Sequence, residues 1–86
     1  MRYKSKYVIV ETGMFVAPII FSDLQKHNEV AMQFCSNRNK VLGAGFCFVD
    51  EEGKYQCYGE SVSLGVKSRG EEDSKFLNKY LGVTED

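Results

Sequence analysis

Several residue types that would point to a specific chemistry are scarce or missing. Among its 86 residues the chain has no tryptophan, one histidine and three cysteines, Cys35, Cys47 and Cys57. An odd number of cysteines without a C-x-x-C pair does not suggest the disulfide framework of a small secreted protein. A structural zinc site needs four ligands at workable spacings, and here the lone His27 accompanies three scattered thiols. We therefore expect no metal and no cofactor.

Long hydrophobic runs are also missing. The longest covers residues 14–21, whereas a membrane-spanning helix needs about 20 apolar residues. The first residues alternate between polar and aromatic side chains and lack the apolar core of a signal peptide. We expect a cytoplasmic protein that makes no membrane contact.

An excess of charge of one sign is absent. The chain has 11 basic and 12 acidic side chains, for a formal net charge of −1, whereas a strongly basic nucleic-acid-binding domain has a clear positive excess. The distribution is uneven, because Arg2, Lys4 and Lys6 lead the chain while acidic residues crowd its end. Such an asymmetry is typical of a solvated surface, and it can also steer a charged partner.

The first half of the chain predicts a β-hairpin followed by a helix. Residues 7–11 are rich in β-branched side chains, and a Thr-Gly turn signal precedes a returning strand over 15–21. Pro18 cannot donate a hydrogen bond to a neighbouring strand, so this second strand should lie at a sheet edge or carry a bulge. Ser22 with a glutamine three residues later fits a capping box, and the apolar spacing that follows predicts a helix over 23–35.

A second hairpin follows, with strands over 41–49 and 55–58. Gly43 and Gly45 inside its first strand indicate a bulge or another backbone passing close. In the connecting loop, Gly53 suits the left-handed position that follows a type I turn. The resulting register pairs Asp50 with Lys54, Cys47 with Cys57, and Phe46 with Tyr58.

The chain then continues into an extended segment and a last helix. Gly59 interrupts the apolar alternation, which predicts a bulge or bend there. Residues 61–66 alternate between polar and apolar side chains, as a strand does. An apolar stripe predicts a helix over 70–81 that ends at Gly82, and residues 83–86 should fray.

These elements predict an α+β protein with a single domain over residues 1–86 and the element order ββαββ(β)α. The antiparallel sheet would have four to five strands, with the Pro18 strand at one edge and the first, third and fourth strands after it. We expect both helices on one face. The other face would then be apolar and uncovered, which favours a homo-oligomer, with a dimer as the first hypothesis.

No constellation typical of an enzyme stands out. His27 and Cys35 lie roughly 12 Å apart along the proposed helix and cannot bond to each other, so His27 is interpreted as a surface or cap residue. Cys47 and Cys57 are interpreted as small apolar fillers, with a cross-strand disulfide or redox switch as the alternative. The acidic pairs fall in a turn and a helix start, where charge favours solubility. We expect a protein that is not an enzyme.

The candidate ligand site lies where the extended segment meets the last helix. The first turn of a helix has free N–H groups and a partial positive charge, which attract anions. The alternative is a plain helix cap, in which Ser68 and Glu71 form a capping box and the acidic residues of the first turn already satisfy the dipole. The residues proposed to hold a phosphate or carboxylate are Ser61, Ser63, Lys67, Ser68, Arg69 and Gly70.

A second candidate site uses the basic start of the chain. Its tyrosines interleave with basic residues, which is the pattern of a strand that stacks bases and contacts phosphates. The aromatic residues of the predicted hairpin strands are also arranged like the rings of RNA-binding sheets, although the short motifs of those sheets are absent. The residues proposed to bind single-stranded nucleic acid are Arg2, Tyr3, Lys4, Lys6 and Tyr7.

No named family is assigned. The small size, the lack of catalytic residues and the Val-Lys-Ser-Arg-Gly junction over 66–70 resemble small accessory proteins of bacteriophages and prophages. This resemblance transfers no residue role, and it implies a protein that sequesters a host protein or a nucleotide signal. We therefore expect a non-enzymatic, homo-oligomeric binding module for a protein or a small phosphate-bearing ligand, with single-stranded nucleic-acid binding as the alternative.

Overall fold

The computed structural model describes residues 4–35, 37 and 40–83, and these residues form an α+β fold with an antiparallel four-stranded sheet and two helices. The predicted class is confirmed. Arg2 and Tyr3 of the nucleic-acid hypothesis lie outside the described residues. The elements are β1 (Ser5–Glu11), β2 (Val16–Phe21), α1 (His27–Ala31), β3 (Val41–Val49), β4 (Tyr55–Tyr58), β5 (Glu60–Ser61), β6 (Val66–Lys67) and α2 (Glu71–Tyr80).

The strand order in the main sheet is β2-β1-β3-β4, as predicted, while β5 and β6 pair separately as a short ribbon. The N–H of Thr12 donates to the carbonyl of Phe15 across the first hairpin loop, at 2.9 Å. Hydrogen-bonded and non-hydrogen-bonded pairs alternate along an antiparallel ladder. Counting from the hydrogen-bonded pair of Thr12 and Phe15, Pro18 and its partner Ile9 form a non-hydrogen-bonded pair, so the backbone nitrogen of Pro18 faces away from β1. The missing donor therefore costs no ladder bond at this edge strand.

The second hairpin has the predicted register. The N–H of Asp50 donates to the carbonyl of Lys54 at 2.8 Å, and Cys47 lies opposite Cys57. Between β1 and β3 the register shifts after the pair Ile9 and Gly43, so the bulge expected near the strand glycines is present. Gly59 has a φ of 80°, which confirms the predicted bend.

The helices lie on opposite faces of the sheet, so the expectation that both cover one face is wrong. Side chains alternate between the two faces along a strand. On the first face, Val8 packs in one buried cluster with Val30 and Ala31 of α1. On the second face, Tyr7 packs in another cluster with Leu77 of α2. Each face of the sheet therefore carries a helix, and the argument for a homo-oligomer loses its premise.

The first helix is much shorter than predicted. It covers His27–Ala31 rather than residues 23–35. The Oγ of Ser22 accepts the N–H of Leu24 at 3.1 Å, and the carbonyl of Ser22 accepts the N–H of Gln25 at 3.1 Å. Ser22 therefore stabilises a local turn before the helix, because its hydroxyl bonds two residues on instead of capping a helical turn.

The segment predicted to be extended over residues 61–66 is not one continuous strand, because the chain reverses within it and only its ends lie in strands, in β5 and β6. The N–H of Gly65 donates to the carbonyl of Ser61 at 2.9 Å, and Gly65 has a φ of 70° that allows the reversal. Leu64 and Val66 pack against the cluster on the first face. The alternation does not match burial here, because Val62 is exposed while Ser61 is buried.

The start of α2 also differs from the prediction. Gly70 precedes the helix with a φ of 64°. The Oγ of Ser68 accepts the N–H of Gly70, which lies before the helix, so Ser68 does not form the predicted capping box with Glu71. At the other end, the N–H of Val83 donates to the carbonyl of Asn78 at 2.8 Å. The remaining residues predicted to fray, 84–86, lie outside the described part of the chain.

The edge of β4 is covered by side chains of α2. The Oδ1 of Asn78 accepts the N–H of Tyr55 at 2.7 Å, and its Nδ2 donates to the carbonyl of Tyr55 at 3.2 Å. The Oγ of Ser74 accepts the N–H of Cys57 at 2.8 Å. These bonds occupy backbone groups that would otherwise offer a free strand edge. In the described ranges, no helix has the length and apolar character needed to cross a membrane.

We expect Asn78→Ala to lower the free energy of unfolding by about 2 kcal/mol, because both backbone groups of Tyr55 lose their partner. Urea denaturation measures this change. Lys79→Ala, at the next and exposed position, is the control and should shift stability by less than about 0.5 kcal/mol. Equal losses in the two variants would contradict the edge-covering role of Asn78.

Candidate functional site

A buried carboxylate joins α2 to the second face of the sheet. Asp73 is 0% exposed. Its carboxylate accepts hydrogen bonds from the hydroxyl of Tyr7 at 2.5 Å, from the backbone N–H of Arg69 at 2.9 Å and from the Nε–H of Arg69 at 2.6 Å. A side chain on Gly43 would collide with this carboxylate. Glycine at that position of β3 therefore lets α2 approach the sheet.

Tyr7 is part of this buried network and does not lie on the surface. It is 0% exposed, and its hydroxyl lies 2.7 Å from the Oγ of Ser68. Burial, together with the hydrogen bond to Asp73, raises the pKa of Tyr7 far above its ordinary value. The phenol is therefore a neutral donor at physiological pH and offers no ring to an outside ligand.

The residues proposed for the anion site are largely engaged within the protein. The Oγ of Ser68 accepts the N–H of Gly70 at 2.9 Å, and the Nη1 of Arg69 bonds Glu72 at 3.0 Å in addition to its contact with Asp73. Ser61 is 1% exposed. The other polar neighbours sit on the ribbon, where Ser63 lies 3.4 Å from Ser61 and Lys67 is exposed.

We expect Arg69→Ala to lower the free energy of unfolding by about 2 kcal/mol, because it leaves the buried Asp73 without its cation. Thermal or urea denaturation measures the loss. The exposed Lys67 supplies the control, and Lys67→Ala should cost less than about 0.5 kcal/mol. Unchanged stability in Arg69→Ala would show that the guanidinium is not needed by Asp73.

The first face carries a row of rings that crosses the sheet. We call this row the ring stripe, and its members in order are Phe21, His27, Phe46, Tyr58 and Phe48. The centroids of successive rings are separated by 5.5, 5.9, 5.8 and 5.9 Å. Strand pairing explains most of this order, because Lys6 of β1 pairs with Phe21 of β2 and with Phe46 of β3, and Phe46 pairs in turn with Tyr58 of β4.

His27 is buried inside the stripe, so its interpretation as a surface or cap residue is wrong. It is 4% exposed, and its Nε2 lies 2.8 Å from the carbonyl oxygen of Gly45. Burial is the main cause that lowers the pKa of His27, so the neutral ring donates its Nε2 proton to this carbonyl. The missed signal is the spacing of His27, Val30 and Ala31, which places all three on one helical face.

Stability should fall as the pH drops through the ordinary histidine pKa of 6.5. The unfolded chain then binds a proton that the folded His27 resists, so acid favours unfolding, while the full contribution is present above that pH. Urea denaturation at several values between about pH 5 and pH 8 measures the trend. His27→Gln should flatten it, since the chain has one histidine. A pH dependence that survives in this variant would contradict the assignment.

Cations surround the stripe. The Nζ of Lys4 lies 4.7 Å from the centroid of the Phe46 ring, within the range of a cation–π interaction. The Nζ of Lys6 donates to the carbonyl of Gln25 at 2.8 Å, which fixes this ammonium beside α1. Lys26 is exposed at the start of the same helix.

A groove opens beside the stripe, between the start of α1 and the β5–β6 ribbon. It encloses about 630 Å³, and Phe46 forms part of its lining. Gly59 permits the chain to pass over this ring, since a side chain there would press against Phe46 at 2.9 Å. Tyr58, which precedes Gly59 in the chain, is 42% exposed. The lining residues are Lys6, Lys26, His27, Phe46, Gly59, Glu60, Val62 and Ser63.

A smaller groove of about 490 Å³ lies between β4 and α2. Its polar groups include Ser74 and Asn78, both of which already bond the edge of β4. It offers lysines at the surface but no ring for stacking. The groove beside the ring stripe is therefore the better candidate for ligand binding.

In the described part of the chain, no three histidine, cysteine or acidic side chains come together as possible metal ligands.

The comparisons with known proteins assign the chain to no family. No protein-family model matches the chain, and neither a curated protein nor a solved structure matches it. The candidate site therefore rests on the geometry of the ring stripe and its lysines.

Proposed function

We propose that this protein is a small non-enzymatic binding module whose ligand is a single-stranded nucleic acid. The observation that carries the proposal is the ammonium of Lys4, held 4.7 Å above the Phe46 ring within a row of rings on one sheet face. Cations next to stacking platforms are the combination that single-stranded nucleic acids require, because their bases present flat faces and their backbone presents phosphates.

The rings can serve as a stacking platform because part of the stripe is accessible. Tyr58 is 42% exposed, while Phe46 and Phe48 are half-buried. Each base stacked on an aromatic side chain contributes about 1–3 kcal/mol in such complexes. Sheets that present rings in this way stack about two or three unpaired bases, and the phosphates would be directed toward the lysines.

The overall charge does not oppose this ligand. The net charge is −1, but the acidic first turn of α2, with Glu71 and Glu72, belongs to the element that covers the second face. On the first face, Lys4 lies over the Phe46 ring, and Lys6 and Lys26 line the groove together with one acidic residue, Glu60. A local potential of this kind attracts an anionic chain even where the total charge is near zero.

The anion site first proposed at Lys67, Ser68, Arg69 and Gly70 receives less support. Ser68 and Arg69 already bond groups within the protein, so an anion there would have to replace existing partners. Capture of a protein, a dimeric state, a cytoplasmic location and a relation to phage accessory proteins stay predictions.

Fluorescence anisotropy with a labelled single-stranded oligothymidylate tests the proposal. We expect Lys4→Ala combined with Lys26→Ala to weaken binding about tenfold at low salt, and to flatten the dependence of affinity on salt because fewer phosphates are neutralised. The matched control is Lys75→Ala with Lys79→Ala, which removes two exposed lysines of α2 and should leave binding within about twofold.

Further measurements test the role of the rings and distinguish a single nucleotide from a nucleic-acid strand as the ligand. Phe46→Leu keeps an apolar side chain but removes the stacking face, so it should weaken binding without flattening the salt slope. Competition by a mononucleotide as strong as by the oligomer would identify a small nucleotide as the ligand. Equal binding of a duplex, or no binding of any oligomer at low salt, would overturn the proposal.

A further inference from the structure

Two of the three free cysteines face each other in the second hairpin. Cys47 and Cys57 are directly paired residues of β3 and β4. Both belong to the buried cluster on the second face, where Cys47 is 0% and Cys57 is 8% exposed. Side chains of directly paired residues lie on the same face of a sheet, so the two thiols are neighbours.

The hydrogen bonds show which kind of pair this is. The N–H groups of Tyr55 and Cys57 point away from β3, to Asn78 and Ser74. Cys47 and Cys57 are therefore a non-hydrogen-bonded pair, whose Cα atoms lie about 4.5 Å apart in an antiparallel sheet. Disulfides span Cα separations of about 4.4–6.8 Å, so a bond here fits the strands as they stand.

The third cysteine provides an internal contrast. Cys35 lies after α1 and packs against the cluster on the first face, and its thiol lies 3.5 Å from the carbonyl of Ala31. The sheet separates it from the other two. Within one molecule, the pair formed by Cys47 and Cys57 is thus the one that the fold prepares for a bond.

We propose that Cys47 and Cys57 are a covalent modification site, at which a small-molecule disulfide or a thiol–disulfide oxidoreductase closes a reversible cross-strand disulfide. Cys57, the more exposed thiol, loses its proton and attacks one sulfur of the oxidant, which releases a thiolate. Cys47 then loses its proton and attacks the Cys57 sulfur of this mixed disulfide, which releases a second thiolate. The two thiolates take up the two protons, so the protein loses two electrons to the oxidant.

The surroundings determine how this exchange proceeds. Burial raises the pKa of Cys47 to about 12 and that of Cys57 to about 11. The thiolate is the attacking species, so both groups are protonated and slow to react at neutral pH. Closure should therefore be slow at neutral pH and faster at alkaline pH.

The test uses the full-length Cys35→Ser variant, incubated in its folded state with oxidised glutathione. We expect its mass to fall by two hydrogen atoms, with a single cross-linked peptide that joins Cys47 to Cys57. The thermal midpoint should rise by about 5 °C or more, because the bond restricts the unfolded chain. Dithiothreitol should reverse both changes.

Cys35→Ser with Cys57→Ala is the control, and circular dichroism verifies that it folds. It should show neither the cross-link nor the rise in thermal midpoint. Two free thiols in Cys35→Ser after prolonged exposure to oxidant at alkaline pH would overturn the proposal, as would a glutathione adduct on Cys57 that never resolves. These outcomes are read from masses and melting alone, so they are independent of nucleic-acid binding.

Discussion

The buried carboxylate of Asp73 is the interaction on which the arrangement of the chain depends. A carboxylate that is 0% exposed must be paired and hydrogen-bonded, because an isolated buried charge is very costly. Three donors from Tyr7 and Arg69 satisfy it, and Gly43 leaves the space it occupies. Strand, helix and the junction before the helix are thereby held together at one point on the second face.

This anchoring gives the two faces different properties. The second face is closed by α2, which also covers the edge of β4 through Ser74 and Asn78. On the first face, α1 spans only His27–Ala31 and the ribbon strands are two residues each. Such short elements cover the aliphatic side chains but leave part of the ring stripe open, which explains why the candidate groove lies there.

Much of the sheet could be predicted because its determinants are local. Gly53 and the loop around it define the register of the second hairpin, and Pro18 identifies the edge strand. The placement of one helix on each face is indicated by residues 7–10, which are apolar without alternation. Such a run is typical of a strand that is buried on both faces. The role of Asp73 could not be predicted, because it depends on Gly43, which is distant in sequence.

The candidate site shows that the alternation of side chains along a strand limits what a sequence pattern can predict about a protein surface. Lys6 and Tyr7 are adjacent in β1, and adjacent side chains point to opposite faces, so an interleaved basic and aromatic strand cannot present both on one surface. Tyr7 accordingly enters the core on the second face. The rings that accompany the lysines come from neighbouring strands at matching parity, since Lys6 pairs with Phe46, and Phe46 pairs with Tyr58. A mixed surface of cations and rings on a sheet is therefore a property of the register between strands.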